Sequence, residues 1–165
     1  MIKYVNAEVV FEEIPDEVTL AINISNCQNR CDGCHSPELR CDIGDELTEE
    51  RLGKLISEND GITCVCFMGE GNDSDALQKL ISYLKEHYEY KAALYSGRNN
   101  VDEDFYWDKL DYLKIGPYKA ECGPLNTPTT NQRLYCAINI NKAINVGGKW
   151  RSHWVDITEK FWKRQ

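Results

Sequence analysis

Hydrophobic positions in this chain fall into short β-rich runs separated by amphipathic stretches. Residues 18–24, Val-Thr-Leu-Ala-Ile-Asn-Ile, alternate in part and predict a strand. A cysteine-rich loop follows, to about Arg40. Thr48 then predicts a helix start. Its hydroxyl suits the cap, Glu49 and Glu50 suit the positive end of the dipole, and Leu47 and Leu52 are spaced as a hydrophobic staple. Leu52, Leu55 and Ile56 supply the buried stripe. Residues 62–67 predict a second strand, and Gly69, Gly71 and Asn72 a turn. From near Ser74, Leu77, Leu80, Ile81, Leu84 and Tyr88 recur at helical spacing. Residues 91–95 read as a third strand closed by Ser96-Gly97. Residues 102–109 read as a short acidic helix, and 113–115 as a fourth strand before Gly116-Pro117. Beyond that point Pro124, Pro128 and several Asn and Thr residues predict loops, with short strands at 135–140 and 155–157.

The alternation of strands and helices predicts an α/β fold with a largely parallel sheet and right-handed crossovers. In such sheets reactive groups gather at the carboxyl ends of the strands. Four turns are assigned to that rim: the cysteine loop, Gly69-Glu70-Gly71, Ser96-Gly97 and Gly116-Pro117. The last three carry glycine, which permits close backbone approach to a ligand. With 165 residues the chain reads as a single domain, 1–165, able to bury a core without disulfide staples. It is too short for a complete eight-unit barrel, so the expected architecture is a partial, incomplete β/α barrel with the cysteine loop after its first strand.

Charge narrows the function. Nineteen Lys and Arg against 27 Asp and Glu leave a net charge of −8. A broad grip on nucleic acid needs a basic face and is not expected. Lys160, Lys163 and Arg164 read as a solvated tail. No basic start precedes an apolar run, and no stretch approaches the ~18 apolar residues of a membrane span. A cytoplasmic location is expected.

The eight cysteines carry the chemistry. In a cytosolic chain they point to metal or catalysis more than to disulfides. Cys27, Cys31 and Cys34 form a Cys-x3-Cys-x2-Cys loop. This differs from the paired Cys-x2-Cys of zinc ribbons and from plant-type ferredoxin spacing. Three clustered thiolates suit a [4Fe–4S] cluster with one iron left open for a ligand. Cys64 and Cys66 share a strand face and read as small buried hydrophobes. Cys41 is the alternative fourth ligand. Cys122 and Cys136 read as free thiols.

The triad, placed after a first strand and ahead of β/α units, resembles the radical S-adenosylmethionine enzymes. More narrowly, the chain resembles the activating proteins of anaerobic ribonucleoside-triphosphate reductases. The carriers are the small domain, the Cys31-Asp32-Gly33-Cys34-His35-Ser36 loop, Lys114-Ile115-Gly116-Pro117-Tyr118, and Thr129-Thr130-Asn131-Gln132-Arg133. The resemblance covers about residues 16–135. Residues 136–165 form a C-terminal extension, and 137–152 look like an insertion. One segment departs from the family pattern of Phe-x-Gly-Gly followed by Glu or Asp. Here it reads Phe67-Met68-Gly69-Glu70-Gly71-Asn72-Asp73, with the acid one place early or replaced by Asp73.

The resemblance implies that Cys27, Cys31 and Cys34 hold the cluster and that S-adenosylmethionine (S-adenosyl-L-methionine) binds its open iron. It implies cofactor contacts at His35 (through its backbone, near the adenine), at Gly69, Glu70 and Gly71 (the methionine end), and at Ser96 and Asn131. Ser96 is equally suited to capping a strand end. Asn131 and Arg133 suit cofactor binding, loop fixing or docking. The implied partners are the large reductase subunit, which would receive a glycyl radical, and an electron donor such as flavodoxin or ferredoxin. Three rival readings remain at this stage. One is another small radical enzyme, of the pyruvate formate-lyase activator or small-molecule type. The others are a closed-cluster electron-transfer protein using Cys41, and a zinc module.

Overall fold

A computed structural model describes residues 1–99, 109–138, 144–146, 149–151 and 153–164. Three strands come from the first third of the chain: β1 (Lys3–Val10), β2 (Thr19–Ile24) and β3 (Asp45–Glu46). Between β2 and β3 lie the cysteine loop and a 3-10 turn, Pro37–Arg40. Then come α1 (Glu49–Ser57), β4 (Cys64–Met68), α2 (Ser74–His87), β5 (Lys91–Tyr95) and β6 (Tyr112–Ile115). The remaining strands are β7 (Arg133–Ile138), β8 (Ile144–Val146), β9 (Lys149–Arg151) and β10 (His153–Asp156). A second 3-10 segment, Thr158–Arg164, follows.

α1 starts at the cap read from the sequence, and α2 at one that the sequence reading does not assign. Thr48 Oγ1 accepts the Arg51 amide at 3.1 Å, and Asp73 Oδ1 accepts the Ala76 amide at 3.0 Å. The stripes Leu52, Leu55, Ile56 and Leu77, Leu80, Ile81, Leu84 are buried together with Leu20, Ile22, Val65, Phe67, Ala92, Leu94 and Leu113. Alternation along the strands puts that set on one sheet face, under α1 and α2. The opposite face carries Cys64, Cys66, Ala93, Tyr112 and Leu134, covered by Ile14 and by Phe161 of the C-terminal 3-10 segment.

The architecture corrects the expected one. Eight strands form one mixed sheet in the order β10-β7-β6-β5-β4-β2-β1-β3. Only the β2–β4, β4–β5 and β5–β6 pairings are parallel. The β1–β2, β1–β3, β6–β7 and β7–β10 pairings are antiparallel, so antiparallel pairing predominates. A largely parallel partial β/α barrel is therefore wrong. Two physical facts account for this. β1, which the pattern reading omitted, folds back on β2 as a hairpin and takes one flank of the sheet. On the other flank, the chain leaves β6 at its carboxyl end and stays there as the Gly116-Pro117-Tyr118 loop. It re-enters the sheet from that end, which makes β7 antiparallel.

The predicted strands at 135–140 and 155–157 are β7 and β10, each beginning two residues earlier and ending earlier than expected. The expected helix over 102–109 lies outside the described residues except for Lys109. Half of the 137–152 insertion does too, the described half being the end of β7 and the β8–β9 ribbon. Among the described residues no helix is long and apolar enough to cross a membrane.

Candidate functional site

The cysteine loop leaves β2 through Asn26, whose φ of 60° turns the chain sharply. Two backbone contacts close the base of the loop: Asn26 N to the Cys41 carbonyl at 3.2 Å and Cys27 N to the Leu39 carbonyl at 2.9 Å. A tight turn brings the Cys34 amide to the Cys31 carbonyl at 3.3 Å, with Gly33 at a φ of 72°. Cys27, Cys31 and Cys34 are all part-buried, and Cys41 is exposed. Burial pushes the Cys27 thiol up, and the neighbouring Cys31 and Cys34 push it further; the Arg40 guanidinium opposes them. Cys27 thus feels the charge of both other loop thiols.

Arg40 braces the loop, donating from Nη2 to the Cys31 carbonyl, while its buried Nε–H has no partner among the described residues. Across the loop, the Tyr118 ring lies 3.3 Å from the position of a Cβ on Gly33 and 5.7 Å from the His35 ring centroid. The Gly116-Pro117-Tyr118 loop therefore rests on the cysteine loop. Asn131 Nδ2 fixes it through the Pro117 carbonyl at 2.9 Å, while Asn131 Oδ1 is buried without a partner among the described residues. Asn131 is a loop-fixing residue here. Arg133 faces Asp156 on β10, at 3.8 Å.

A cavity of about 380 Å³ opens beside Cys27, lined by Asn29, Gly69, Glu70, Gly71, Gly97 and Arg98 among others. The structure thus brings together Cys27 and the two glycine-bearing turns after β4 and β5. Glu70 does not stand free in it. Arg98 grips its carboxylate in a fork, Nε to Oε2 at 2.9 Å and Nη2 to Oε1 at 2.6 Å, and Ser96 Oγ adds a third bond at 2.9 Å. Ser96 is fully buried and accepts the Arg98 amide at 3.1 Å. Asp73, the other candidate acid, caps α2. Gly97 allows the closest approach: a Cβ there would meet the Asn29 amide nitrogen at 2.6 Å.

Pattern reading assigned no role to Arg98, Lys114 or Arg40. Lys114 had a visible signal, a lysine between Leu113 and Ile115 in an otherwise apolar strand. It is only 8% exposed. Burial pulls its ammonium down to about 8, while the thiols of Cys31, Cys27, Cys34 and Cys66 pull it back up. Arg98 and Arg40 had no comparable signal, because pairing across elements leaves no periodicity.

Among the described residues no three His, Cys, Asp or Glu side chains converge closely enough for a single metal ion. A polynuclear cluster has a different requirement, since each thiolate binds a different iron and the sulfurs stand further apart. The donor set fits such a group: three part-buried thiols on one loop, with a buried lysine within their electrostatic influence. Cys64 and Cys66 do not belong to it. Both are fully buried, and burial pushes both thiols far up. No family model matches the chain, and no curated protein matches it.

Proposed function

We propose that this chain is a radical S-adenosylmethionine activase that generates a glycyl radical on an anaerobic ribonucleoside-triphosphate reductase. The supporting observation is a three-cysteine loop whose Cys27 lines a cavity walled by the glycine-bearing turns after β4 and β5. Cys27, Cys31 and Cys34 would hold a [4Fe–4S] cluster. When bound, that cluster supplies the electron for reductive cleavage of S-adenosylmethionine to methionine and a 5′-deoxyadenosyl radical, which takes the α-hydrogen of a glycine.

The chain's own residues then bind and shield. Gly69 and Gly71 let the backbone approach the methionine end of the cofactor. Glu70 meets its ammonium after exchanging partners with Arg98. Ser96 holds the Glu70 carboxylate in place. Tyr118, half-buried, lies over the cysteine loop at Gly33. A chain of 165 residues has little wall of its own, so the large reductase subunit completes the site in a transient contact. Flavodoxin or ferredoxin would supply the electron, in the cytoplasm.

The test is anaerobic. Reconstituted, reduced protein is mixed with S-adenosylmethionine and the large reductase subunit. Methionine and 5′-deoxyadenosine form, and electron paramagnetic resonance shows a glycyl radical on the reductase. Cleavage without a radical on the reductase would overturn the activase reading alone. No cleavage by a fully loaded, reduced protein would overturn the radical-enzyme reading as well.

A further inference from the structure

Lys114 is buried, and among the described residues it has no anionic partner. Its ammonium donates to the Gly116 carbonyl at 3.0 Å and lies 5.6 Å from the centre of the Tyr95 ring. Neither group is charged, and no ion pair joins Lys114 to a carboxylate among the described residues. Its face of the sheet is otherwise built of Cys66, Ala93, Tyr112 and Leu134. A buried ammonium is costly to desolvate and is retained where an opposite charge answers it. The carbonyl that Lys114 meets opens the Gly116-Pro117-Tyr118 loop, which lies on the cysteine loop through Tyr118 at Gly33, and the thiols of Cys31, Cys27, Cys34 and Cys66 push the ammonium's pKa upward. Cys66 is fully buried, and burial pushes its thiol well up, which disfavours the anion. The three loop cysteines, ionised when they bind iron, would supply the answering charge. Arg40 adds a second cation on the same loop, with a buried N–H to spare.

We infer that Lys114 is the counter-charge of the three-cysteine centre, a positioning residue that raises the reduction potential of the iron–sulfur group held there. This rests on the reading that Cys27, Cys31 and Cys34 hold a [4Fe–4S] cluster. One-electron reduction by an external donor makes the centre more negative by one unit. The Lys114 ammonium therefore stabilises the reduced form more than the oxidised form. Charge and hydrogen bonding around the sulfurs are established levers on such potentials.

The experiment compares wild type, Lys114→Met, Lys114→Gln and Lys114→Arg, each reconstituted anaerobically with iron and sulfide. It is carried out without S-adenosylmethionine, so cofactor binding plays no part. Circular dichroism checks the fold, and iron content per chain checks loading. Titration with dithionite and mediators, followed by electron paramagnetic resonance, gives the midpoint. The midpoint shifts to more negative potential in the Met and Gln variants, and Arg restores it towards wild type. If both neutral variants fold but fail to load while Arg loads, the charge is needed for assembly, which also supports the inference. Neutral variants that load fully and keep the wild-type midpoint overturn it. So does loss of loading in Arg as well as in Met and Gln. If wild type itself takes up no cluster, the cluster reading falls and this inference with it.

Discussion

The fork between Glu70 and Arg98 sets a measurable balance between stability and binding. The perturbation is a double-mutant cycle of Glu70→Gln, Arg98→Met and both together. A hydrogen bond to a charged group contributes about 1.5–3 kcal/mol inside a protein, and an exposed ion pair about 0.2–1 kcal/mol. The Glu70 side chain is 13% exposed and Arg98 38%, so the pair lies between those limits. Its coupling energy is expected at about 1–2 kcal/mol, or about 2–8 °C in Tm for a chain of this size. Arg98 makes other contacts, which the cycle subtracts. Urea unfolding with an unchanged slope gives the four free energies. A coupling below about 0.3 kcal/mol, the usual additivity error, would show the fork to be energetically idle. Calorimetry with S-adenosylmethionine reads the functional half. Arg98→Met tightens binding, because the ligand ammonium no longer competes with the guanidinium for Glu70, and Glu70→Gln weakens it. Weaker binding by Arg98→Met would refute the argument and show that the guanidinium itself holds the ligand.

At the opposite end of the parallel strands, Glu17 accepts from Lys91 Nζ at 2.5 Å, Tyr112 OH at 2.6 Å and Thr63 Oγ1 at 2.5 Å. Burial pushes its carboxyl up, but these bonds outweigh it and hold the group below its ordinary range. Glu17→Gln therefore loses about 1–2 kcal/mol at neutral pH. The deficit persists above the ordinary glutamate pKa of about 4.3 and closes as the pH falls through the depressed folded value. A deficit independent of pH in urea unfolding would exclude this cause. Cys64→Ala removes a fully buried thiol and costs about 1–2 kcal/mol with no loss of iron, whereas Cys31→Ala abolishes cluster loading and activity; iron analysis separates the two. Gly69 has a φ of 115°, so Gly69→Ala strains the backbone by about 1–3 kcal/mol. Gly97 has ordinary backbone, and Gly97→Ala instead displaces the Asn29 amide and lowers cluster loading with little change in Tm.

Local physics was legible in the sequence. Thr48 marks the start of α1, because capping involves neighbours three residues apart, and the turn before Ser74 marks the start of α2. The leucine and isoleucine stripes mark their buried faces for the same reason. The runs at 18–24, 62–67, 91–95 and 113–115 mark the four strands that pair in parallel. The cysteine spacing marks the loop. Strand direction at the sheet's flanks was not legible, because it depends on the end from which the chain re-enters, and a run of alternating residues is the same in either direction. β1 takes its place through pairing with β2, and β7 through a loop held against Gly33 and His35 by Tyr118. Only the tertiary structure joined Glu70 to Arg98, 28 positions apart, and turned Asn131 to the Pro117 carbonyl. It alone buried Lys114 against the Gly116 carbonyl and the Tyr95 ring, since a lysine's surroundings are decided by the elements packed around it.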